Sequence, residues 1–282
     1  VTPTVPPTLL VLGAVISVQC GSAVATHLFK DIGAGGAAFL RLLVGALVLL
    51  AIWRPWTRRH GRPEWTAAVL FGLTTAAMNF SFYSALDRIP LGVAVTLEFV
   101  GPLGLAVAGS RRPLDLLWAF LAAAGIVLLA PWGGLRLDPL GIGFALLAGV
   151  LWSVYIILSA RVGRLFSGGG GLALAMATGS AALLPVGIAS AGTSLLNGRV
   201  LLIGVAVGLL SSVIPYSLEM ESLRRLPTRI FGVLMSTEPA VGALVGLIFL
   251  GQVLDARAAI AILIVTVAAV GATRFRPEVP TI

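Results

Sequence analysis

The sequence predicts an all-α polytopic membrane protein of ten transmembrane helices, built as two inverted five-helix repeats. Three observations carry this prediction. Of the 282 residues, 58% are apolar and only 11% are charged, where a soluble chain has about 25% charged residues. Runs of about 20 apolar residues follow one another end to end, each long enough to cross a bilayer as a helix, without the apolar/polar alternation of a β-barrel. The chain also repeats itself. Gly92-Val93 and Gly232-Val233, Glu98 and Glu238, and Leu114-Asp115 and Leu254-Asp255 are each 140 residues apart, almost half the chain length. The Leu-x-Arg-(Ile/Leu)-Pro piece ending at Pro90 returns at Pro227 with an offset of 137. An insertion of three residues after Pro227 reconciles the two registers.

In chain order, the spans fall near residues 7–29, 35–53, 65–86, 91–110, 114–130, 140–160, 171–190, 200–220, 230–250 and 256–273. Most connections are under ten residues, so no soluble domain fits between spans. Sidedness follows from the basic residues, which concentrate on the cytoplasmic side. An inside N-terminus puts Arg54, Arg58, Arg59, Arg62, Arg111, Arg112, Arg161, Arg164, Arg224, Arg225, Arg229, Arg274 and Arg276 in the cytoplasm. It leaves Lys30, Arg88, Arg136, Arg199 and Arg257 opposite, and both termini are then cytoplasmic. Five spans per repeat is an odd number, so residues 136–282 enter the membrane upside down relative to residues 1–135. Secondary transporters commonly have this architecture, with the site near the midplane between the repeats.

The net charge of +8 does not point to nucleic acid, because the basic residues lie in short loops between apolar runs. Cys20 is the single cysteine, which excludes a disulfide framework or thiolate metal site. No basic region precedes the first span, so no cleavable signal peptide is expected.

Each span with a polar residue in its interior offers a candidate. In span 1, Gln19 and Ser22 are three apart and share a helix face. Arg41 in span 2 is the one strong cation within a span and needs an anionic partner or an aqueous cavity. It suits either Glu98 or a substrate carboxylate, which its fork of donors matches. Asn79 in span 3 and Tyr216 in span 8 are 137 apart, the local repeat offset, and should face inward. Glu98 and Glu238 lie roughly 10–12 Å deep at 1.5 Å per residue, from opposite faces. Burial makes a carboxylate expensive unless it is paired or protonated, so these two are the candidates for proton coupling as well as for substrate binding. Pro102 and Pro239 follow them and leave backbone carbonyls free. Trp152 and Tyr155 in span 6 are again three apart and could line a cavity. Glu219, near the cytoplasmic end of span 8, either guards the mouth or reaches water beside Arg224. Gly204-xxx-Gly208 and Gly242-xxx-Gly246 permit close helix packing.

Enzyme chemistry finds no support. There is no nucleophile–base set, and His27 and His60 are isolated and lack metal-ligand spacing. Residues 168–171 are glycines without the Lys-Ser/Thr of a phosphate loop. No ATP site or cofactor is expected, so transport would run on an ion gradient or on exchange.

Ten short spans, two five-span repeats and an Arg in span 2 resemble the drug/metabolite transporter superfamily, EamA type. One branch matches in more detail, the bacterial inner-membrane threonine/homoserine exporters (RhtA type). The resemblance rests on residues 91–99 with Gly101-Pro102, on Ser110-Arg111-Arg112-Pro113, and on the run from Pro215 through Arg225-Leu226-Pro227-Thr228-Arg229 to Ala240, with Leu40-Arg41-Leu42 in support. It implies proton-driven export of small neutral amino acids, the site lying between two EamA-like repeats, with a broader drug or metabolite exporter as the alternative. EamA repeats often end span 9 with Gly-Glu, whereas this chain has Gly251-Gln252.

Overall fold

The computed structural model describes residues 5–108, 113–129, 138–223, 225–226, 231 and 234–274. Among them it is helical throughout. The helices are α1 (Pro7–Thr26), α2 (Phe29–Trp53), α3 (Arg62–Leu86), α4 (Leu91–Glu98), α5 (Val100–Ala108), α6 (Pro113–Leu129), α7 (Pro139–Leu165), α8 (Gly170–Ala191), α9 (Gly198–Gly208), α10 (Ile214–Leu223), α11 (Glu238–Leu250) and α12 (Ala256–Arg274). A π turn, Leu209–Val213, joins α9 to α10. The expectations on Ser110, Arg111, Arg112, Arg136, Arg224, Pro227, Thr228, Arg229, Gly232 and Arg276, and the boundary at residues 135–136, fall outside the described residues.

Among the described residues, six helical stretches of 20 to 29 residues are long and apolar enough to cross a membrane: Pro7–Thr26, Phe29–Thr57, Arg62–Leu86, Pro139–Leu165, Gly170–Leu196 and Gly198–Glu219. Leu91–Leu105, Glu238–Leu250 and Ala256–Gly271 are shorter apolar helices. Three predicted spans are not continuous helices. The fourth breaks at Phe99 between α4 and α5, and the eighth passes through the π turn. In the ninth, a turn at Ser236 and Thr237 precedes α11. The second begins six residues earlier than predicted, with Gly33 (φ 65°, ψ 172°) kinking its first turns.

Large apolar side chains such as Leu47, Phe120, Leu202, Ile248 and Leu263 are exposed, while Gln19, Arg41, Asn79, Glu98 and Glu238 are buried. Apolar outside and polar inside is the arrangement lipid selects. The helices α2 and α3 pack on α8, α3 on α7, α1 on α10 and α11, α4 on α11 and α7, and α6 on α12. Several crossings bring main chains together. A Cβ on Gly72 would sit 2.4 Å from Ala175 O, one on Gly92 2.6 Å from Ala243 Cα, and one on Gly101 1.8 Å from Gly149 O. Gly204 and Gly208 receive Leu40 and Val44 of α2, while Gly242 and Gly246 meet Val95 and Leu91 of α4. Both glycine pairs therefore serve contacts within this chain.

Candidate functional site

Each glutamate of the sequence repeat stands at a helix break. Glu98 is the last residue of α4, separated from α5 by Phe99 alone. Glu238 is the first residue of α11. The prolines account for the breaks. Pro102 has no N–H to give to the carbonyl four residues back, Glu98 O, and Pro239 none for Met235 O. The freed Glu98 carbonyl is covered by α7, since a Cβ on Gly149 would lie 2.5 Å from it. Both glutamates sit where a following helix starts, and a helix N-terminus favours negative charge.

Arg41 is held by span 8. Its Nη2 donates to Ser211 O at 2.8 Å, and its Nε to Ser212 Oγ at 3.3 Å. Pro215 explains why Ser211 O is available: an α-helix would occupy it with the N–H of residue 215, and proline has none. The same defect makes the π turn. Ile214 N donates to Leu209 O, so Leu210 O loses its helical donor too and accepts Ser17 Oγ at 2.7 Å. Two freed carbonyls of one turn are thus satisfied by α1 and α2. Glu98 is one of two anionic partners open to Arg41; among the described residues the guanidinium makes these bonds and lies over the Tyr83 ring, whose centroid is 5.6 Å from Arg41 Cζ.

One cavity of about 110 Å³ gathers the residues singled out in the sequence. Gln19 and Ser22 reach it from α1, Arg41 from α2, Asn79 from α3 and Glu98 from α4. Trp152 and Tyr155 come from α7, Tyr216 and Glu219 from α10, and Glu238 from α11. Aromatic contacts brace the α7 pair: Trp152 meets Phe99 edge-on at 5.3 Å, and Tyr155 lies 4.8 Å from Phe71. The two glutamates therefore meet at one cavity. Val18, Met78, Phe82, Ser211, Pro215 and Met235 also line it and were not singled out from sequence. Apolar residues and a serine carry no signal in an apolar helix, but Pro215 four residues after Ser211 did mark a freed carbonyl. Gln19 Oε1 and Ser211 Oγ are buried without a hydrogen-bond partner among the described residues.

The cavity adjoins a second one of about 400 Å³. Tyr155, Tyr216 and Glu219 line both. The second extends past Phe71 and Val162 to Trp53, Gly168 and Gly169, at the end of the bundle that carries Arg54 and Arg161. On the opposite side α4 and α11 close together. Gly251 ends α11 in the left-handed region (φ 62°), and Gln252 N returns to Gly246 O at 3.0 Å. That turn aims Gln252 back at α4, where its Oε1 accepts Leu91 N–H at 2.9 Å.

His60, expected to be isolated, touches Glu64 (Nδ1 to Oε1, 3.9 Å) and packs against Phe166.

Comparison with known proteins agrees with this architecture. The family model of the EamA-like transporter family matches residues 139–274. The threonine/homoserine exporter RhtA of Salmonella typhimurium (strain SL1344) is 40% identical over 269 residues, covering 95% of this chain and 91% of that protein. RhtA of Escherichia coli (strain K12) is 39% identical over the same shares. A solved crystal structure superposes with a TM-score of 0.65 at 23% identity, covering 94% of this chain and 96% of that one, a likeness of fold alone. The chain therefore belongs to the EamA-like transporter family, in the branch that holds the RhtA proteins.

Proposed function

We propose that this protein is a proton-coupled exporter of small neutral amino acids of the threonine/homoserine kind, working by alternating access. The observation that carries the reading is the shared cavity, where one guanidinium and three carboxyls from four helices converge. A zwitterionic amino acid complements that set. Its carboxylate suits Arg41, and its ammonium suits Glu98, Glu238 or, at the mouth, Glu219. Gln19, Asn79, Trp152, Tyr155 and Tyr216 surround what remains. The relatives named as threonine/homoserine exporters support the same substrate class.

The five-plus-five inverted arrangement, residues 1–135 against 136–282, supplies the switch. The basic loops support both termini lying in the cytoplasm of a bacterial inner membrane. The 400 Å³ vestibule then opens inward, the α4–α11 contact seals the outside, and the described state faces the cytoplasm. Glu98 and Glu238, at their helix breaks, are the proton-coupling pair.

The test is counterflow of labelled threonine, homoserine and a panel of other amino acids in proteoliposomes across a pH gradient. Threonine and homoserine should exchange, and Glu98→Gln should abolish pH-driven transport in a protein that still folds. Unchanged pH-driven transport in that variant refutes the role of Glu98. Exchange of bulky unrelated compounds in preference to threonine refutes the substrate class.

A further inference from the structure

A third cavity lies outside the transport route, at the basic end of the bundle. It measures about 710 Å³ and runs between the α2–α3 connection and the α7–α8 connection, with Arg54, Arg58, Arg59 and His60 on one side and residues 165–168 on the other. The sidedness of the chain explains why arginines collect at this end. It does not explain why they line a braced hollow.

The walls are fixed by specific contacts. Arg54 is the one described non-glycine residue with positive φ (42°), and its N–H closes α2 on Leu50 O at 2.9 Å. His60 Nε2 lies 2.9 Å from Pro55 O, and its ring packs 5.0 Å from Phe166. The Trp53 indole lies so tightly on Gly168 and Gly169 that a Cβ on either would come within 2.5 or 2.3 Å of it. Arg58 donates to Ser167 Oγ. Two connections far apart in sequence thus form one cradle.

The charge balance is positive. The three guanidiniums face one carboxylate, Glu64. That carboxylate is already engaged by Gly61 N–H and lies near His60. Each guanidinium offers five N–H donors. Among the described residues, Arg54 gives one to Ala51 O and Arg58 one to Ser167 Oγ. The rest are available in the planar forks that match phosphate oxygens. Trp56 in the α2–α3 connection and Trp65 in the first turn of α3 are 65% and 47% exposed. Exposed tryptophans mark the level of lipid headgroups, where basic pockets between helices take anionic headgroups.

We propose that this cradle is an anion site for a phosphate group, supplied by the headgroup of an acidic phospholipid or by free phosphate. The bound phosphate ties the α2–α3 connection to the α7–α8 connection beside the inner vestibule, with which the cradle shares Trp53 and Gly168. It requires no particular transported substrate.

The test uses the full-length protein from bilayers of phosphatidylcholine mixed with phosphatidylglycerol. Native mass spectrometry reads the retained lipid, and thermal unfolding in detergent is titrated with inorganic phosphate. Phosphatidylglycerol should be retained selectively, and the triple variant R54Q/R58Q/R59Q should lose that retention by about tenfold or more. Should the triple variant not fold, Arg59→Gln alone leaves the Ala51 and Ser167 bonds in place and should lose about threefold. The pair R161Q/R164Q removes charge from the nearby end of α7, outside the cradle, and should change little. Stabilisation by phosphate that the cradle variants abolish, without lipid selectivity, also supports the site and identifies free phosphate as the occupant. Equal loss in the α7 pair, or no loss of either ligand in the cradle variants, overturns the proposal.

Discussion

The proposed outer closure yields the sharpest prediction, through Gln252→Leu. In the described state Gln252 Oε1 accepts Leu91 N–H at 2.9 Å, and that donor is one of the first-turn N–H groups that α4 cannot satisfy itself. Leucine fills the space but accepts nothing, so the closed state strands a part-buried donor at about 1–3 kcal/mol. Once α4 and α11 part, water reaches Leu91 N and the penalty disappears. The substitution therefore raises the outward-open population by about 5–150-fold. The assay places a cysteine in the cavity, Val18→Cys in a Cys20→Ala background, and measures labelling by an impermeant maleimide from outside. Labelling should accelerate by that factor. Gln252→Glu should not accelerate it, because a carboxylate accepts the same N–H and suits the N-terminus of α4. Equal labelling rates in wild type and Gln252→Leu, or a glutamate variant that behaves like leucine, refutes the latch.

Other outcomes follow from the same contacts. Pro215→Ala restores an N–H that competes for Ser211 O, so labelled-threonine counterflow should fall about tenfold, the worth of a charge-assisted hydrogen bond of about 1.5 kcal/mol, with no loss of melting temperature. Arg41→Lys keeps the charge but not the two-point hold on Ser211 and Ser212, and should raise the half-saturating threonine concentration about tenfold. Gly149→Ala drives a Cβ to 2.5 Å from Glu98 O, an overpacking of about 1–3 kcal/mol that a drop in melting temperature will show.

The sequence made much of the cavity visible because a polar residue in an apolar run needs a reason to be there. Gln19, Arg41, Asn79, Glu98, Tyr216 and Glu238 all stand out on that ground, and one cavity collects them. What stayed hidden is how backbone polarity is handled. Arg41 looked like the partner of a carboxylate, yet carbonyls are invisible in a list of side chains, and a carbonyl freed by Pro215 holds it. Pro102 and Pro239 did mark freed carbonyls in the fourth and ninth spans, but the break in the eighth stayed hidden. Hydropathy sees an unbroken apolar run wherever the side chains remain apolar, whether or not the helix does. Gln252 read as a departure from a family pattern; its partner, Leu91 N, belongs to the main chain and leaves no trace in composition.

The seal between α4 and α11 has an entropic consequence. Gly92 meets Ala243 there, and Gly242 and Gly246 face Val95 and Leu91. Glycine and alanine have no rotamers to lose, whereas immobilising a long side chain such as glutamine costs up to about 2 kcal/mol. Closing this surface therefore freezes little side-chain motion at its glycine and alanine positions, and Gln252 is a long side chain that it fixes in place. Such a contact can form and part many times without repacking a side-chain core, which suits the outer seal of the proposed alternating-access cycle.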